Sequence, residues 1–189
     1  MLKDKIEIKK HLVLCYSKTG NSHFMAKKIS SELNCDLQMV YPWINNTGLL
    51  FLISLFKMSI PLNISNKLIQ EHEEIIIIGP VWGGLLISPL RTLIKKCNQL
   101  SKPIHFAVTC ETSEEDKENK YGYNNVLKSA QTVGGEFVKS TAAFSTTLIK
   151  GYDGKIKTNI TVKAKITEGN FSDELRERLN SFKNSILGK

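Results

Sequence analysis

Short apolar runs alternate along the chain with segments in which apolar residues recur every three or four positions. Such runs predict buried β-strands, and the periodic segments predict helices. The clearest strand covers residues 74–79, where four consecutive isoleucines are β-branched and leave no polar face. This pattern is typical of a strand in the centre of a sheet. Further strands are predicted over residues 11–16, 36–41, 104–109 and 136–144.

Helical patterns follow these predicted strands. They cover Asn21–Leu33, a segment that Ser88 caps, residues 123–133 and a last segment from about Ser172. Strands that alternate with helices form parallel sheets. Because the crossover connections are right-handed, the helices cover both faces of such a sheet. We therefore predict an α/β fold, a three-layer α/β/α sandwich with a five-stranded parallel sheet of order 2-1-3-4-5. We expect residues 1–189 to form a single domain.

Ligands of such sheets bind beyond the carboxyl ends of the strands, so the loop after the first predicted strand is a candidate site. Backbone N–H groups at a helix start, with hydroxyls beside them, suit a phosphate, and a glycine allows close approach. The loop has this composition, because it consists of Ser17, Lys18, Thr19, Gly20, Asn21 and Ser22. We expect Lys18 to point outward and to add only a diffuse positive potential. An ordinary turn between a strand and a helix is the alternative interpretation.

The residue types of this loop exclude other known kinds of phosphate-binding loop. The loop lacks the first glycine and the Gly-Lys order of a Walker P-loop, and the dinucleotide pattern G-x-G-x-x-G is absent. A cysteine phosphatase would need an arginine six residues after Cys15, where this chain has Asn21. Cys15 is therefore interpreted as a buried strand residue.

Two loops resemble motifs of the flavodoxin family. The run from Ser17 to Ser22 is similar to its phosphate signature [ST]-x-T-G-x-[TS]. The loop after the central strand resembles its flavin loop G-x-P-[VI]-W-[WG]-G, although proline directly follows the first glycine, and it contains Pro80, Val81, Trp82, Gly83 and Gly84. A core or helix-cap role for Trp82 is the alternative interpretation.

The third loop, with Thr109, Cys110 and Glu111, matches the family only by its position. The resemblance covers about residues 10–138 and implies a flavodoxin-like fold that binds one FMN with these three loops. An acidic run follows the third loop, and if it lay near the flavin ring we would expect it to lower the reduction potential.

The flavin would carry the redox chemistry, so no catalytic side chain is required, and the four histidines have no metal-binding or catalytic spacing. The resemblance implies electron transfer or flavin-dependent oxidoreduction with a redox partner protein or a small-molecule acceptor. A shuttle protein and an NAD(P)H-dependent quinone-type reductase both fit, and a flavin-free interaction module is the alternative from another class. Shuttle flavodoxins are generally acidic, whereas this chain has a net charge of +8.

The cysteines and the first residues of the chain indicate a cellular compartment. The four cysteines are scattered and form no CxxC pair, and no signal peptide is visible, which favours the cytoplasm. No nucleic-acid module is recognisable, so we attribute the positive charge to a solvated surface.

The segment from Leu49 to Ile60 is unusually apolar. It is too short for a transmembrane helix, which needs about 20 residues. A crossover helix packed deeply against the sheet is the commonest outcome for such a segment. A homodimer contact, a dip into a membrane surface and a lid over the flavin are the alternatives.

Overall fold

The computed structural model describes residues 9–152 and 164–189. They form a five-stranded sheet whose neighbouring strands are all parallel, in the order β2-β1-β3-β4-β5. The predicted order 2-1-3-4-5 is therefore confirmed. Residues 153–163 lie outside the described ranges.

Strands and helices alternate as the apolar pattern predicts, with most bounds displaced by one to three residues. In chain order they are β1 Lys9–Cys15, α1 Asn21–Leu33, β2 Asp36–Met39, α2 Thr47–Leu55, α3 Asn66–Gln70, β3 His72–Pro80, α4 Ser88–Gln99, β4 Ile104–Cys110, α5 Tyr123–Gly134, β5 Val138–Ser145 and α6 Asp173–Leu187. The short helix α3 is an addition that the sequence analysis did not predict.

The sheet is buried on both faces, and this produces the three layers. Successive strand residues point to opposite faces, so the isoleucines at 75–78 contribute alternately to two apolar cores. All four are fully buried, as expected for the central strand. Helices α1 and α6 cover one face, and α4 and α5 cover the other.

The start of α4 corrects the predicted cap. Ser88 is the first helical residue, and the N-cap position belongs to Ile87, which has no side-chain hydroxyl. The missing acceptor comes from a neighbouring helix, because the N–H of Ser88 donates to Ser54 Oγ of α2 over 2.8 Å. The Ser54 hydroxyl also donates to the carbonyl of Leu50 over 2.6 Å. Ser54 therefore joins α2 to α4.

The apolar segment is much less buried than its composition predicts. Within α2 only Leu50 and Ser54 are buried, whereas Leu52 is 49% exposed and Phe56, just beyond the helix, is 68% exposed. Deep packing of this segment was thus the wrong expectation. The helix turns its serine inward, where the hydroxyl caps α4, and this leaves large apolar side chains facing outward.

Buried histidines occupy the opposite end of the sheet, where the strands begin. His11 Nε2 of β1 lies 3.0 Å from Glu74 Oε2 of β3, and His105 Nε2 of β4 lies 3.7 Å from the same oxygen. Burial lowers the pKa of both histidines, although the nearby Glu74 acts in the other direction. The described residues contain no group of three or more His, Cys, Asp or Glu side chains able to hold a metal ion. This cluster is consequently part of the packing between strands.

Candidate functional site

The loops that follow β1, β3 and β4 meet around a cleft of about 570 Å³ at the carboxyl end of the sheet. A volume of this size suits a small organic ligand or cofactor. The predicted site residues that line the cleft are Thr19, Asn21, Pro80, Val81, Trp82, Gly83, Thr109, Cys110 and Glu111. The sheet topology thus assembles residues from all three loops that the sequence selected.

The first loop ends in a helix start that points its N–H groups outward. Gly20 is the N-cap of α1 and has a left-handed φ of 99°, which favours glycine. The first bond of the helix runs from the N–H of Phe24 to the carbonyl of Gly20 over 2.8 Å. The N–H groups of residues 21–23 therefore precede this ladder, and such groups bind anions readily.

Several side chains of the loop support the site rather than face a ligand. The N–H of Gly20 donates to Ser17 Oγ over 3.2 Å, which closes the turn. Ser22 is fully buried, and its hydroxyl lies 2.7 Å from Thr109 Oγ1 on the third loop. These hydroxyls therefore fix the loop and join it to β4. The exposed Thr19 lines the cleft and has a hydroxyl suited to an anion.

The side chain of Asn21 is engaged on the far side of the loop. Its amide nitrogen donates to the carbonyl of Ala164 over 3.0 Å, and its amide oxygen accepts from the N–H of Ile166 over 2.9 Å. Both groups of the amide thus hold residues 164–166, whose Ile166 belongs to one of the apolar cores. Asn21 can serve an anion in the cleft through its main-chain N–H.

Lys18 has a more definite role than the diffuse potential expected for it. Its ammonium donates to the carbonyl of Asn45 over 2.6 Å and to Thr47 Oγ1 over 2.9 Å. These contacts attach the first loop to the start of α2. The lysine is exposed, as expected, but it fixes the position of the neighbouring wall of the cleft.

The second loop brings an aromatic ring and Gly83 to the cleft, and Gly84 follows as a buried contact with the loop after β4. Trp82 is half-buried and packs edge-on against Tyr16 with 6.0 Å between ring centroids. Gly83 and Gly84 have φ values of 56° and 71°. A Cβ on Gly84 would stand 2.5 Å from the carbonyl oxygen of Lys120, so only glycine lets the two loops approach this closely.

The third loop offers main-chain and small polar groups. The N–H of Val81 donates to the carbonyl of Thr109 over 2.9 Å, which links the second and third loops. Burial raises the pKa of the Cys110 thiol to about 11, so it stays neutral near pH 7 and suits only a passive role.

Most of the acidic run that follows is directed away from the cleft. The lining of the cleft includes Glu111 but none of the later acids, Glu114, Glu115, Asp116 and Glu118. Hydrogen bonds from Lys117, Arg178 and Tyr123 lower the pKa of Glu114 to about 2, so this carboxylate anchors the loop. The expected effect on a flavin ring would therefore rest on Glu111.

Five further residues line the cleft that were not among the predicted cofactor-binding residues: Thr47, Gly48, Phe51, Thr112 and Tyr121. The first three come from the beginning of α2, so one of the alternatives for the apolar segment, a cover over the site, agrees with their positions. Tyr121 lies in the long loop after β4, next to the close approach of Gly84. Phe51 belongs to the apolar segment for which a lid over the flavin was one alternative, whereas only its aromatic character could have drawn attention to Tyr121.

Solved structures with the same fold include flavodoxins and flavoproteins. The flavoprotein of Lactobacillus acidophilus NCFM in complex with FMN is 20% identical, with a TM-score of 0.57, over 79% of this chain and 97% of that chain. Oxidised flavodoxin 2 of Bacillus cereus is 13% identical, with a TM-score of 0.54, over 95% of this chain and 98% of that chain. The chain therefore has the flavodoxin-like fold that its loops implied.

No family model matches the sequence, and no curated protein does either. Among the helices of residues 9–152 and 164–189, none is long and apolar enough to cross a bilayer.

Proposed function

We propose that this chain binds one FMN in the cleft and uses it for electron transfer or flavin-dependent oxidoreduction. The observation that carries the proposal is the convergence of three loops, from β1, β3 and β4, on one cleft with a helix start at its edge. A structural neighbour is a complex with FMN. The fold also favours cofactor binding at this end of a parallel sheet.

The residues around the cleft fit the two chemically different ends of FMN. The N–H groups at the start of α1 and the Thr19 hydroxyl suit the phosphate, which is an anion. Trp82, Tyr121 and Phe51 supply aromatic and apolar surface for a flat ring. Gly83 is exposed and lines the cleft, so its main chain is open beside the ring. This match supports a cofactor-binding role for the three predicted loops.

Bound FMN would supply one- and two-electron redox chemistry. The protein would bind it, hold its ring between the second and third loops, and exclude water with aromatic side chains. Burial keeps the nearby Cys110 thiol neutral, with its pKa raised to about 11, so we assign it no part in electron transfer.

The electron donor and acceptor define two versions of this function. A shuttle would exchange electrons with a larger redox protein, and the net charge of +8 favours a partner with an acidic surface. A reductase would take hydride from NAD(P)H and pass electrons to a quinone-type acceptor. The aromatic and apolar wall that Phe51 adds to the cleft favours an apolar acceptor. Oxidation of NAD(P)H that depends on added quinone would identify the reductase.

We also propose that the protein works in the cytoplasm. Its four cysteines, Cys15, Cys35, Cys97 and Cys110, are free thiols, as a reducing compartment would keep them.

The test is to purify the full chain, record its visible spectrum and identify any cofactor that denaturation releases. We expect a yellow protein that contains FMN in a one-to-one ratio. Thr19→Val should weaken FMN binding by about tenfold, because a hydrogen bond to a charged group is lost. Thr132→Val, on the exposed side of α5, is the matched control and should bind FMN normally. A colourless protein that takes up no added FMN would instead support the flavin-free interaction module.

A further inference from the structure

The chain from Tyr41 to Met58, which adjoins the cleft at Phe51, has a concentration of exposed apolar side chains. We call it the apolar rim and define it as Tyr41, Trp43, Leu49, Leu52, Leu55, Phe56 and Met58. In the described parts of the chain, the other exposed large apolar side chains are Phe51 and Tyr121, and both line the cleft. The exposure of so many large apolar groups in one region marks a surface that binds something.

The geometry of α2 explains how the rim forms. Leu50 and Ser54 point inward, Ser54 bonds to α4, and Phe51 borders the cleft. Leu49, Leu52 and Leu55 recur at helical spacing and are 43%, 49% and 53% exposed. The helix therefore presents an apolar stripe on the side that a surface helix normally gives to polar residues.

The aromatic residues and the charges of this region point to an anionic lipid surface. Trp43 is 80% exposed and Tyr41 is 56% exposed, and amphipathic rings of this kind favour the headgroup level of a membrane. From Leu37 to Gln70 the sequence has no acidic residue, and its charged side chains there are Lys57 and Lys67. We propose that the apolar rim docks on the surface of an anionic phospholipid bilayer.

A bilayer explains the rim better than a second copy or a partner protein does. Two copies that each carry a net charge of +8 repel one another, whereas an anionic surface attracts both the chain and its local lysines. A protein interface of ordinary size also forms about ten hydrogen bonds. The leucine, phenylalanine and methionine side chains of the rim offer none, but they can enter the boundary between headgroups and acyl chains.

Docking would turn the mouth of the cleft toward the lipid. Phe51 belongs to the same helix as the outward leucines and lines the cleft. The proposal uses only surface residues, so it can succeed or fail independently of FMN binding. We expect vesicle binding to be the same with and without added FMN.

The test is co-sedimentation of the full chain with vesicles of phosphatidylcholine alone or with about one-third phosphatidylglycerol. We expect binding to the anionic vesicles, weaker binding to the neutral ones, and weakening by salt. The double variant Leu52→Ser/Phe56→Ser should bind at least about tenfold more weakly, because two apolar side chains no longer enter the lipid. Its melting temperature should fall only slightly, since Phe56 is 68% and Leu52 is 49% exposed.

A pair of charge reversals supplies the matched control. Lys57→Glu lies in the rim region, whereas Lys139→Glu lies on β5 and is also exposed, so both change the net charge equally. Lys57→Glu should weaken binding by several-fold more than Lys139→Glu does. In a Trp82→Phe variant, the emission of Trp43 should shift to the blue when anionic vesicles are added.

Three results would overturn the proposal. The first is a wild-type chain that binds neither kind of vesicle. The second is a loss of binding in Lys139→Glu as large as in Lys57→Glu, which would indicate general adhesion of a cationic protein. The third is a dimer in sedimentation velocity that Leu52→Ser/Phe56→Ser dissociates while vesicles go unbound, which would show that a second copy covers the rim.

Discussion

The polar groups at the two ends of the sheet differ in their surroundings. At the carboxyl end, loop hydroxyls and amides hold one another in place around an open cleft, as the Ser22–Thr109 contact shows. At the amino end, His11 and His105 are buried on either side of Glu74, and burial lowers the pKa of both rings. The comparison indicates that the first end leaves space that a ligand could fill, whereas the second packs its polar groups between the strands.

Gly84→Ala should have the largest effect and should act on the carboxyl end. The alanine would have to adopt the left-handed φ of Gly84, and its Cβ would lie 2.5 Å from the carbonyl oxygen of Lys120. The second loop and the loop after β4 would therefore have to separate. We expect a loss of about 3 kcal/mol in the free energy of unfolding and a loss of measurable FMN binding. Urea unfolding and a flavin titration would measure the two effects.

Gly83→Ala is the control for this change. Gly83 is also left-handed, but its Cβ would meet only the ring of Phe51, at 3.4 Å. We expect a loss of about 1 kcal/mol, which reflects the backbone alone. Equal effects of the two substitutions would show that the close approach of the loops at Gly84 is unimportant.

Thr109→Val should cost about 2 kcal/mol of unfolding free energy. It preserves the shape of the side chain but leaves the buried Ser22 hydroxyl without its partner, which lies 2.7 Å away. Adding Ser22→Ala should recover much of the loss, because no buried hydroxyl then remains unpaired. A double-mutant cycle in urea measures the coupling. Strict additivity would mean that the two hydroxyls do not interact.

Acid should weaken the fold through the histidines at the amino end. Their pKa is lowered in the folded protein, and an unfolded histidine binds a proton near pH 6.5. Their contribution to stability is therefore present above pH 6.5 and is lost as the pH falls through the folded pKa. The free energy of unfolding should fall by at most about 1.4 kcal/mol per pH unit for each histidine.

His105→Gln tests this assignment. Urea unfolding between pH 8 and pH 5 should give a shallower pH dependence than in the wild type, whatever the cost at pH 8. His23, on α1, is a histidine that is not buried and serves as the comparison. If His23→Gln reduced the slope as much as His105→Gln, the assignment to the amino end would be wrong.

Trp82→Leu should have the smallest effect and should be confined to the cleft. The leucine keeps an apolar contact but removes the aromatic surface, so FMN should bind about three- to tenfold more weakly. The pH dependence of unfolding should stay the same, because the substitution is at the other end of the sheet. An unchanged dissociation constant for FMN would show that Trp82 belongs to the packing with Tyr16 rather than to the flavin.

Local patterns in the sequence were sufficient for the sheet and for the position of the cleft. The isoleucines at 75–78 indicated a central strand, and alternating strands and helices determine where parallel strands end. Loops at those ends must then share one edge of the sheet. This is why the three selected loops lie together.

Contacts between distant parts of the chain could not be predicted in the same way. Asn21 was selected as part of the first loop, but its side-chain amide bonds to Ala164 and Ile166, more than a hundred residues away. Ser54 is buried because it caps α4, and the outward apolar face of α2 follows from that contact. In each case the partner decides the direction of the side chain, and no short motif specifies the partner.

A titration of the flavin-free protein with FMN and with riboflavin tests the central claim most directly. We expect FMN fluorescence to be quenched at a one-to-one ratio, with a dissociation constant of about one micromolar or below. Riboflavin should bind at least about tenfold more weakly, because it lacks the phosphate that the start of α1 is expected to hold. Equal affinity for the two flavins, or no binding of either at micromolar concentrations, would contradict the account.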